Sequence, residues 1–240
     1  YHRMIGQRAE GISASDPAIK EMDGGIFTWK DLDHAAGVSA ARFLTLGIDR
    51  GARVFVAGAG NFAHIAAVAG LWRIGAVPVT LDSSLPQDRL RAMMQVAAPV
   101  HALCSPGMEA GLADLLPVAL LESNAQLLGQ TAAGPQSAAA SAGDEAVVIF
   151  TSGSTGLPKA VPHSFLDLVN MAENYGRHNV GLSPKDNVIV TSKLSYSYGF
   201  SVSMTALYSA PSPLNTTSWA PADKRSTVVR WWCLVSLSSM

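Results

Sequence analysis

Residues 151–159 place four hydroxyl side chains, two glycines and a lysine in nine positions, in the order Thr-Ser-Gly-Ser-Thr-Gly-Leu-Pro-Lys. They follow an apolar run, residues 146–150, that has the length of a buried strand. Glycines let the backbone fold back with its N–H groups pointing inward, and such a concavity binds anionic oxygens. The hydroxyls add hydrogen-bond donors, and Lys159 adds a mobile positive charge. The pattern predicts a cradle for a polyphosphate.

This nonapeptide differs from the two commonest nucleotide-binding motifs. A P-loop needs Gly directly before its Lys and a helix directly after it, whereas Pro158 precedes Lys159 here. Residues 160–162 are expected to be extended, because the second proline, Pro162, disfavours helix in the residue before it. No G-x-G-x-x-G sequence is present. The structural alternative is a Gly/Ser linker between two strands.

The nonapeptide resembles the phosphate loop of the AMP-forming adenylating enzymes, which include acyl-CoA synthetases, aryl-CoA ligases, luciferases and the adenylation domains of peptide synthetases. The pattern of that family, T-S-G-[ST]-T-G-x-P-K-[GA], is met at every position of residues 151–160. Residues 27–32 resemble its x-T-Y-x-E-L segment, and residues 71–82 resemble its L-x-x-G-A-x-x-x-P-L-D segment. The resemblance runs from about residue 27 to about residue 208.

The resemblance implies a role for each residue of the loop. It implies ATP with Mg²⁺ as cofactors, and Lys159 as a binding residue at the mouth of the loop rather than a catalytic group. A solvent-exposed lysine that only shapes the loop is the alternative for Lys159. The residues implied to hold the β- and γ-phosphates are Thr151, Ser152, Gly153, Ser154, Thr155 and Gly156. No catalytic residue is assigned.

Residues 193–200, Lys-Leu-Ser-Tyr-Ser-Tyr-Gly-Phe, resemble the aromatic block that lines the acyl pocket of the family. By this resemblance, Tyr196, Tyr198 and Gly199 are substrate-binding residues. Peptide-synthetase domains carry an Asp where Gly199 stands, and that Asp binds the α-ammonium of the substrate. An ammonium left unpaired in a buried pocket is costly, so an aromatic or short carboxylic acid without an α-amino group is expected. Alternatively, Tyr196 and Tyr198 are ordinary core aromatics.

Composition limits the classes of partner. Apolar residues make up 48% of the 240 residues, charged residues make up 15%, and the net charge of −1 gives no footprint for nucleic acid or an anionic membrane. Cys104 and Cys233 are too few and too far apart for a disulfide framework or a zinc site, and Cys104 is expected to be a small buried hydrophobe. No membrane span is expected, and a cytoplasmic location fits. His34 and His64 have no metal-ligand spacing, and His163 is expected to be structural.

Hydrophobic periodicity predicts an α/β fold with helices packed on largely parallel sheets. The predicted helices cover residues 29–46, 61–74, about 84–97 and 165–177, with a short helix between the strands at 100–104 and 118–121. The other predicted strands are residues 53–57, 77–81, the run before the loop, and 187–191. Val54 to Trp72 carries no formal charge, but Gly58 and Gly60 break it into a strand and a helix rather than a membrane span.

The expected organisation is an incomplete large N-terminal domain of an adenylate-forming enzyme over residues 1–207. A Ser/Ala/Gly-rich linker is expected at about 122–144. Residues 208–240 form an atypical tail, truncated or frame-shifted, in which the further apolar strand of the family is not recognisable. The family's Y-G-x-T-E and T-G-D segments and its small C-terminal domain are absent from the sequence.

The resemblance implies ATP-dependent activation of a carboxylic acid as an acyl-adenylate, followed by thioester formation with CoA. This chain would carry the phosphate-loop portion, with the small-molecule acid, ATP and CoA as partners, and would be inactive in isolation. A ligase that loads an acyl group onto a carrier protein, or a peptide-synthetase adenylation domain, is the alternative within the family. The alternative of another class is a non-catalytic, truncated fragment that binds nucleotide.

Overall fold

The computed structural model describes residues 12–131, 134–152, 158–183, 186–209 and 214–216. The helices are α1 (Trp29–Thr45), α2 (Phe62–Ile74), α3 (Gln87–Ala97), α4 (Asn124–Gly129), α5 (Phe165–Met171), a π-helix (Ala172–Val180) and α6 (Ser197–Ser209). The strands are β1 (Pro17–Glu21), β2 (Ile26–Thr28), β3 (Arg53–Ala57), β4 (Val77–Thr80), β5 (His101–Cys104), β6 (Val118–Leu120), β7 (Glu145–Ser152), β8 (Pro158–Ser164), β9 (Val188–Val190) and β10 (Leu214–Thr216).

Six strands form the larger sheet, in the order β6-β5-β3-β4-β7-β8. All neighbours in it are parallel except β7 and β8, which form an antiparallel hairpin. Parallel neighbours need a crossover, and α2 and α3 supply it between β3, β4 and β5. The largely parallel α/β fold expected from the sequence is confirmed.

Helix α2 lies at the centre of the core. Its sequence is almost wholly apolar, and 12 of its 13 residues are buried, as expected for a helix covered on all sides. Asn61 caps it by accepting a hydrogen bond from the His64 backbone N–H, and Gly75 ends it in the left-handed conformation. Trp72 Nε1 donates to the Ala146 carbonyl of β7 at 2.6 Å, so α2 is tied to the strand that precedes the phosphate loop.

The smaller sheet has the strand order β2-β1-β10-β9. Strands β1 and β2 are antiparallel, whereas β10 is parallel to both of its neighbours. Helix α1 follows β2 directly and begins with a capping box, in which Thr28 and Asp31 exchange hydrogen bonds between side chain and backbone.

Several local predictions were wrong. The helix expected between β5 and β6 is a series of turns, in which Gly107 has a φ of 86°. The helix expected over 165–177 is present, but it is an α-helix only to Met171 and continues as the π-helix to Val180. Helix α6 was not predicted, and α4 lies inside the segment interpreted as a linker. Strand β10 follows Tyr208, where no strand was recognisable, because its short polar sequence Leu-Asn-Thr gives no hydrophobic signal.

Cys104 is fully buried in β5, and burial raises the pKa of its thiol to about 11, so it is the small hydrophobe that the sequence predicted. Cys233 lies outside the described residues. Within the ranges given above, no helix has the length and apolar character needed to cross a bilayer.

Candidate functional site

The carboxyl ends of β3, β4 and β7 lie at one edge of the larger sheet, because these three strands are parallel neighbours. Helix α2 begins at the same edge, since it follows β3 after a short loop, residues 58–61. In open α/β sheets ligands bind outside the carboxyl ends of the strands. This edge is therefore where the chain can hold a ligand, and most of the residues singled out in the sequence lie there.

The β7–β8 hairpin carries the phosphate-loop sequence. Thr151 pairs with Lys159 and Ser152 with Pro158, so the chain reverses between them, and residues 160–162 are extended as expected. The side chains of Thr151 and Lys159 are exposed, while the strand beneath them, from Ala146 to Ile149, is buried. Four of the predicted phosphate-binding residues lie outside the described residues: Gly153, Ser154, Thr155 and Gly156. Ser152 is described by its backbone alone.

Asp82 follows β4 at this edge. Its Oδ2 accepts hydrogen bonds from Lys193 Nζ at 3.0 Å and from Tyr196 Oη at 2.9 Å, and its Oδ1 accepts from the hydroxyl and the backbone N–H of Ser84. Burial opposes the charge on Asp82, but these hydrogen bonds outweigh burial and lower its pKa to about 2. The same contacts raise the pKa of Lys193 and of Tyr196. Asp82 is thus a carboxylate and Lys193 an ammonium at neutral pH.

The predicted substrate residues lie on the segment that ends with the start of α6. Tyr196 is 50% exposed, with its hydroxyl on Asp82, so it is not a core aromatic; Tyr198 is half-buried and Gly199 is buried. A Cβ at Gly199 would overlap the Lys193 carbonyl and come within 2.7 Å of the Ser192 carbonyl oxygen. Backbone therefore fills the space in which a side chain at this position would begin.

A cavity of about 300 Å³ lies between the two sheets, next to this segment. Its walls are the turn between β1 and β2, the loop before α2, and the chain from Val190 to Leu194. Glu21 is one wall residue; its carboxylate accepts the Phe62 backbone N–H at 2.6 Å and the Asn124 amide at 3.1 Å. Because both Glu21 oxygens are engaged, this carboxylate fixes the start of α2 rather than facing a ligand freely.

His64 supports the loop before α2. The Gly60 backbone N–H donates to its Nδ1 at 3.2 Å, and a Cβ on Gly58 would overlap its ring. Complete burial lowers the pKa of His64 to about 4, so the ring is neutral at neutral pH. In the described ranges, no group of three or more His, Cys, Asp or Glu side chains is placed to hold a metal ion. His163 lies in β8 opposite Val147.

Asp82 and Lys193 belong to two of the sequence motifs, residues 71–82 and 193–200, but neither was predicted to have a role. A signal for Asp82 was available, because a charged residue directly after a buried parallel strand lies at the ligand-binding edge. Lys193 carried no comparable signal, since its contact with Asp82 joins residues 111 positions apart.

A family model described as AMP-binding enzyme matches residues 7–227. Among curated proteins, the hybrid PKS-NRPS synthetase poxE of Penicillium oxalicum is 32% identical over 187 residues, which are 77% of this chain and 4% of that protein. Surfactin synthase subunit 2 of Bacillus subtilis is 26% identical over 198 residues, which are 82% of this chain and 5% of that protein.

Two solved structures illustrate the fold. The complex of VinN with 3-methylaspartate has a TM-score of 0.73 and 26% identity, covering 83% of this chain and 56% of that one. The o-succinylbenzoate CoA synthetase MenE of Bacillus subtilis, with its acyl-adenylate intermediate OSB-AMP, has a TM-score of 0.76 and 18% identity, covering 89% and 55%. The second likeness shows the fold alone. This chain thus spans about a twentieth of these curated relatives and about half of these solved structures.

Proposed function

Because the chain belongs to the AMP-binding enzyme family, we propose that it holds ATP for the activation of a carboxylic acid. The carboxylate oxygen would attack the α-phosphorus of ATP, forming the acyl-adenylate and releasing pyrophosphate. The protein's part is to hold the leaving pyrophosphate in line with the attacking oxygen and to balance its charge. Transfer of the acyl group to CoA is the proposed second step.

The β7–β8 hairpin is the observation that carries this proposal. Its two strands pair up to Ser152 and Pro158, and the residues between them have the small, hydroxylated composition that suits an anion. Lys159 stands opposite Thr151 at the mouth of the hairpin, exposed to an incoming phosphate. The roles of Thr151, Ser152, Gly153, Ser154, Thr155, Gly156 and Lys159 as phosphate-binding residues remain part of this proposal.

The family resemblance implies that Mg²⁺ accompanies ATP. Magnesium binds oxygen ligands and is commonly shared between one or two carboxylates and the substrate phosphates. Asp82 is the carboxylate described at this edge, and its Oδ2 is already engaged by two donors.

Gly199 supports a substrate without an α-amino group. The closeness of the Lys193 carbonyl leaves no room for a carboxylate side chain at this position, so an α-ammonium would have no anionic partner there. Tyr196 and Tyr198, near the same turn, favour an aromatic or short acyl group. A peptide-synthetase-type adenylation domain is the second candidate, because surfactin synthase subunit 2 is among the curated proteins that this chain resembles in sequence.

The hairpin is tested by titrating ATP, inorganic pyrophosphate and AMP into the chain by isothermal calorimetry. If the hairpin holds the β- and γ-phosphates, ATP and pyrophosphate bind and AMP binds at least about tenfold more weakly. Lys159→Met is expected to weaken pyrophosphate binding about fivefold and AMP binding little. Equal affinity for AMP and ATP, or no binding of pyrophosphate, would refute the proposal.

The substrate class is tested with 3-phenylpropanoate and L-phenylalanine, which share a carbon skeleton and differ by the α-ammonium. Each acid is titrated in the presence of saturating ATP. The geometry at Gly199 leads us to expect at least about tenfold tighter binding of 3-phenylpropanoate, because an unpaired buried ammonium costs more than 1 kcal/mol. Tighter binding of phenylalanine would favour the peptide-synthetase alternative.

A further inference from the structure

Asp82 lies two residues beyond the end of β4, at the end of the larger sheet where the neighbouring strand β7 carries Thr151. Val79 of β4 pairs with Val148 of β7, and Asp82 and Thr151 each stand three residues further along their chains. Thr151 in turn pairs with Lys159 of β8. Because β4 and β7 are parallel neighbours about 4.8 Å apart, Asp82 and the hairpin mouth lie at the same end of the sheet.

Lys193 is held at this end of the sheet by its ion pair with Asp82. The Asp82 side chain is 11% exposed and the Lys193 side chain 62% exposed, although their charged atoms are 3.0 Å apart. A partly buried carboxylate therefore holds the end of an exposed lysine. An ammonium has three donors, so Lys193 can remain on Asp82 and still donate to a ligand that approaches from solvent.

We propose that Lys193 is a second cation of the phosphate site, held by Asp82 and Tyr196 where it attracts an anion bound in the hairpin. The proposal rests on the function proposed for the hairpin and adds a residue to that site. Asp82 acts as the positioning residue for Lys193, and Tyr196 in turn holds Asp82, because Lys193 and Tyr196 both donate to Asp82 Oδ2.

The separation of charges sets the size of the effect. An anion above Thr151 would lie about one to two strand spacings from the ammonium, or roughly 8 Å. At that distance a unit charge changes affinity by roughly threefold to thirtyfold, depending on how much water lies between the charges. The effect must shrink with salt, because the screening length is about 10 Å at 0.1 M and about 3 Å at 1 M.

A purely structural brace is the competing account. The Tyr196 backbone N–H donates to the Lys193 carbonyl at 3.1 Å, and that carbonyl packs against Gly199, so the same contacts could serve to fix this turn. The two accounts predict opposite effects on anion binding when Asp82 is removed. If Lys193 only braces the turn, removing either charge of the pair harms the site. If Lys193 attracts the anion, removing Asp82 leaves an unneutralised cation and favours the anion.

The test titrates magnesium-free inorganic pyrophosphate into the 240-residue chain at 0.05 M and 0.5 M NaCl. At low salt we expect Lys193→Met to weaken binding about threefold to tenfold and Lys193→Arg to retain it. We expect Asp82→Asn to leave the affinity unchanged or raise it severalfold, and Tyr196→Phe to change it less than twofold. At high salt the differences should become much smaller.

Parallel weakening by Lys193→Met and Asp82→Asn would overturn the proposal, as would an unchanged affinity in Lys193→Met. Thermal unfolding of each variant shows whether it is folded, and Lys193→Gln replaces Lys193→Met if the latter is not. Lys159→Met distinguishes a failure of this inference from a failure of the function proposed for the hairpin. Binding that depends on Lys159 but not on Lys193 refutes this inference alone, whereas a wild-type chain that does not bind pyrophosphate refutes the function of the hairpin as well.

Discussion

The β7–β8 hairpin and the segment from Lys193 to Gly199 lie at the same edge of the sheet but are held in different ways. Backbone pairing between β7 and β8 positions the hairpin, and α2 supports its first strand from below through Trp72 and Ala146. The segment has no ladder of its own. Two side-chain donors, Lys193 and Tyr196, on one Asp82 oxygen and a close backbone approach at Gly199 hold it.

This difference predicts how each region responds to mutation. A hairpin held by main-chain hydrogen bonds tolerates side-chain changes, since its geometry does not depend on any one of them. A turn held by few side chains and by the absence of a Cβ depends on single residues. Stability should therefore be most sensitive at the segment, and least sensitive at the partly exposed side chains that flank the hairpin.

Gly199→Ala should have the largest effect. The added Cβ overlaps the Lys193 carbonyl, so either the turn or α6 must move, and we expect a loss of about 3 kcal/mol or more in the free energy of unfolding. Chemical denaturation measures it. Gly129→Ala is the matched control, because its Cβ meets open space, and it should be neutral or slightly stabilising. Equal stability of the two variants would show that the segment is not held by this contact.

The loop that faces the segment should be sensitive to pH. Gly60 and Leu194 line the same cavity, and Gly60 is fixed by His64, whose pKa falls from 6.5 to about 4 on folding. The unfolded chain binds this proton below pH 6.5 and the folded chain only below about 4, so the free energy of unfolding decreases as the pH falls between these values. The loss attributable to His64 is about 3 kcal/mol.

His64→Asn is the matched variant for that experiment, because an amide oxygen can accept the Gly60 N–H without titrating. The difference in the free energy of unfolding between wild type and His64→Asn, followed over this pH range, reports the contribution of the histidine. The stabilisation that Asp82 contributes is lost only below its ordinary pKa of 3.8, so it does not overlap this range. Parallel pH profiles of the two proteins between pH 6.5 and 4 would contradict the assignment.

The smallest effect is expected at the base of the hairpin. Glu145, the first residue of β7, accepts two hydrogen bonds of 2.9 Å from Arg53 of β3. Both side chains are about one-third exposed, so Glu145→Gln should cost about 1 kcal/mol, and less at high salt. Arg50→Gln, which removes a more exposed ion pair with Asp144, should change the midpoint of thermal unfolding less. A cost at Glu145 as large as that of Gly199→Ala would remove the contrast between the regions.

The sequence predicted the elements with strong local signals. Strand β3 and helix α2 match their predicted bounds. For α2, Asn61 and Gly75 mark the two ends of an almost wholly apolar helix. The hairpin sequence also predicted the chain reversal and the extended strand from Lys159. Strand β10 and helix α6 were missed, because a three-residue polar strand and a helix that begins with Ser-Tyr-Gly lack periodicity and capping signals.

The local part of the candidate site was predictable from the sequence, and its long-range contacts were not. Its hydroxyl-rich loop is a local pattern, whereas the contact of Lys193 and Tyr196 with Asp82 arises from the way α6 and β4 meet in the folded chain. The closeness of Gly199 to the Lys193 carbonyl likewise depends on the path of the turn. Such long-range contacts have no signature in a single sequence, so the sequence predicted a role for Tyr196 but none for Asp82 or Lys193.

A crystal structure of the chain with pyrophosphate tests the central claim most directly. We expect the two phosphoryl groups to lie within the hairpin, in contact with backbone N–H groups of residues 152–156 and near the ammonium of Lys159. Pyrophosphate bound elsewhere, or a hairpin whose N–H groups all donate to the protein and leave no space for an anion, would contradict the account.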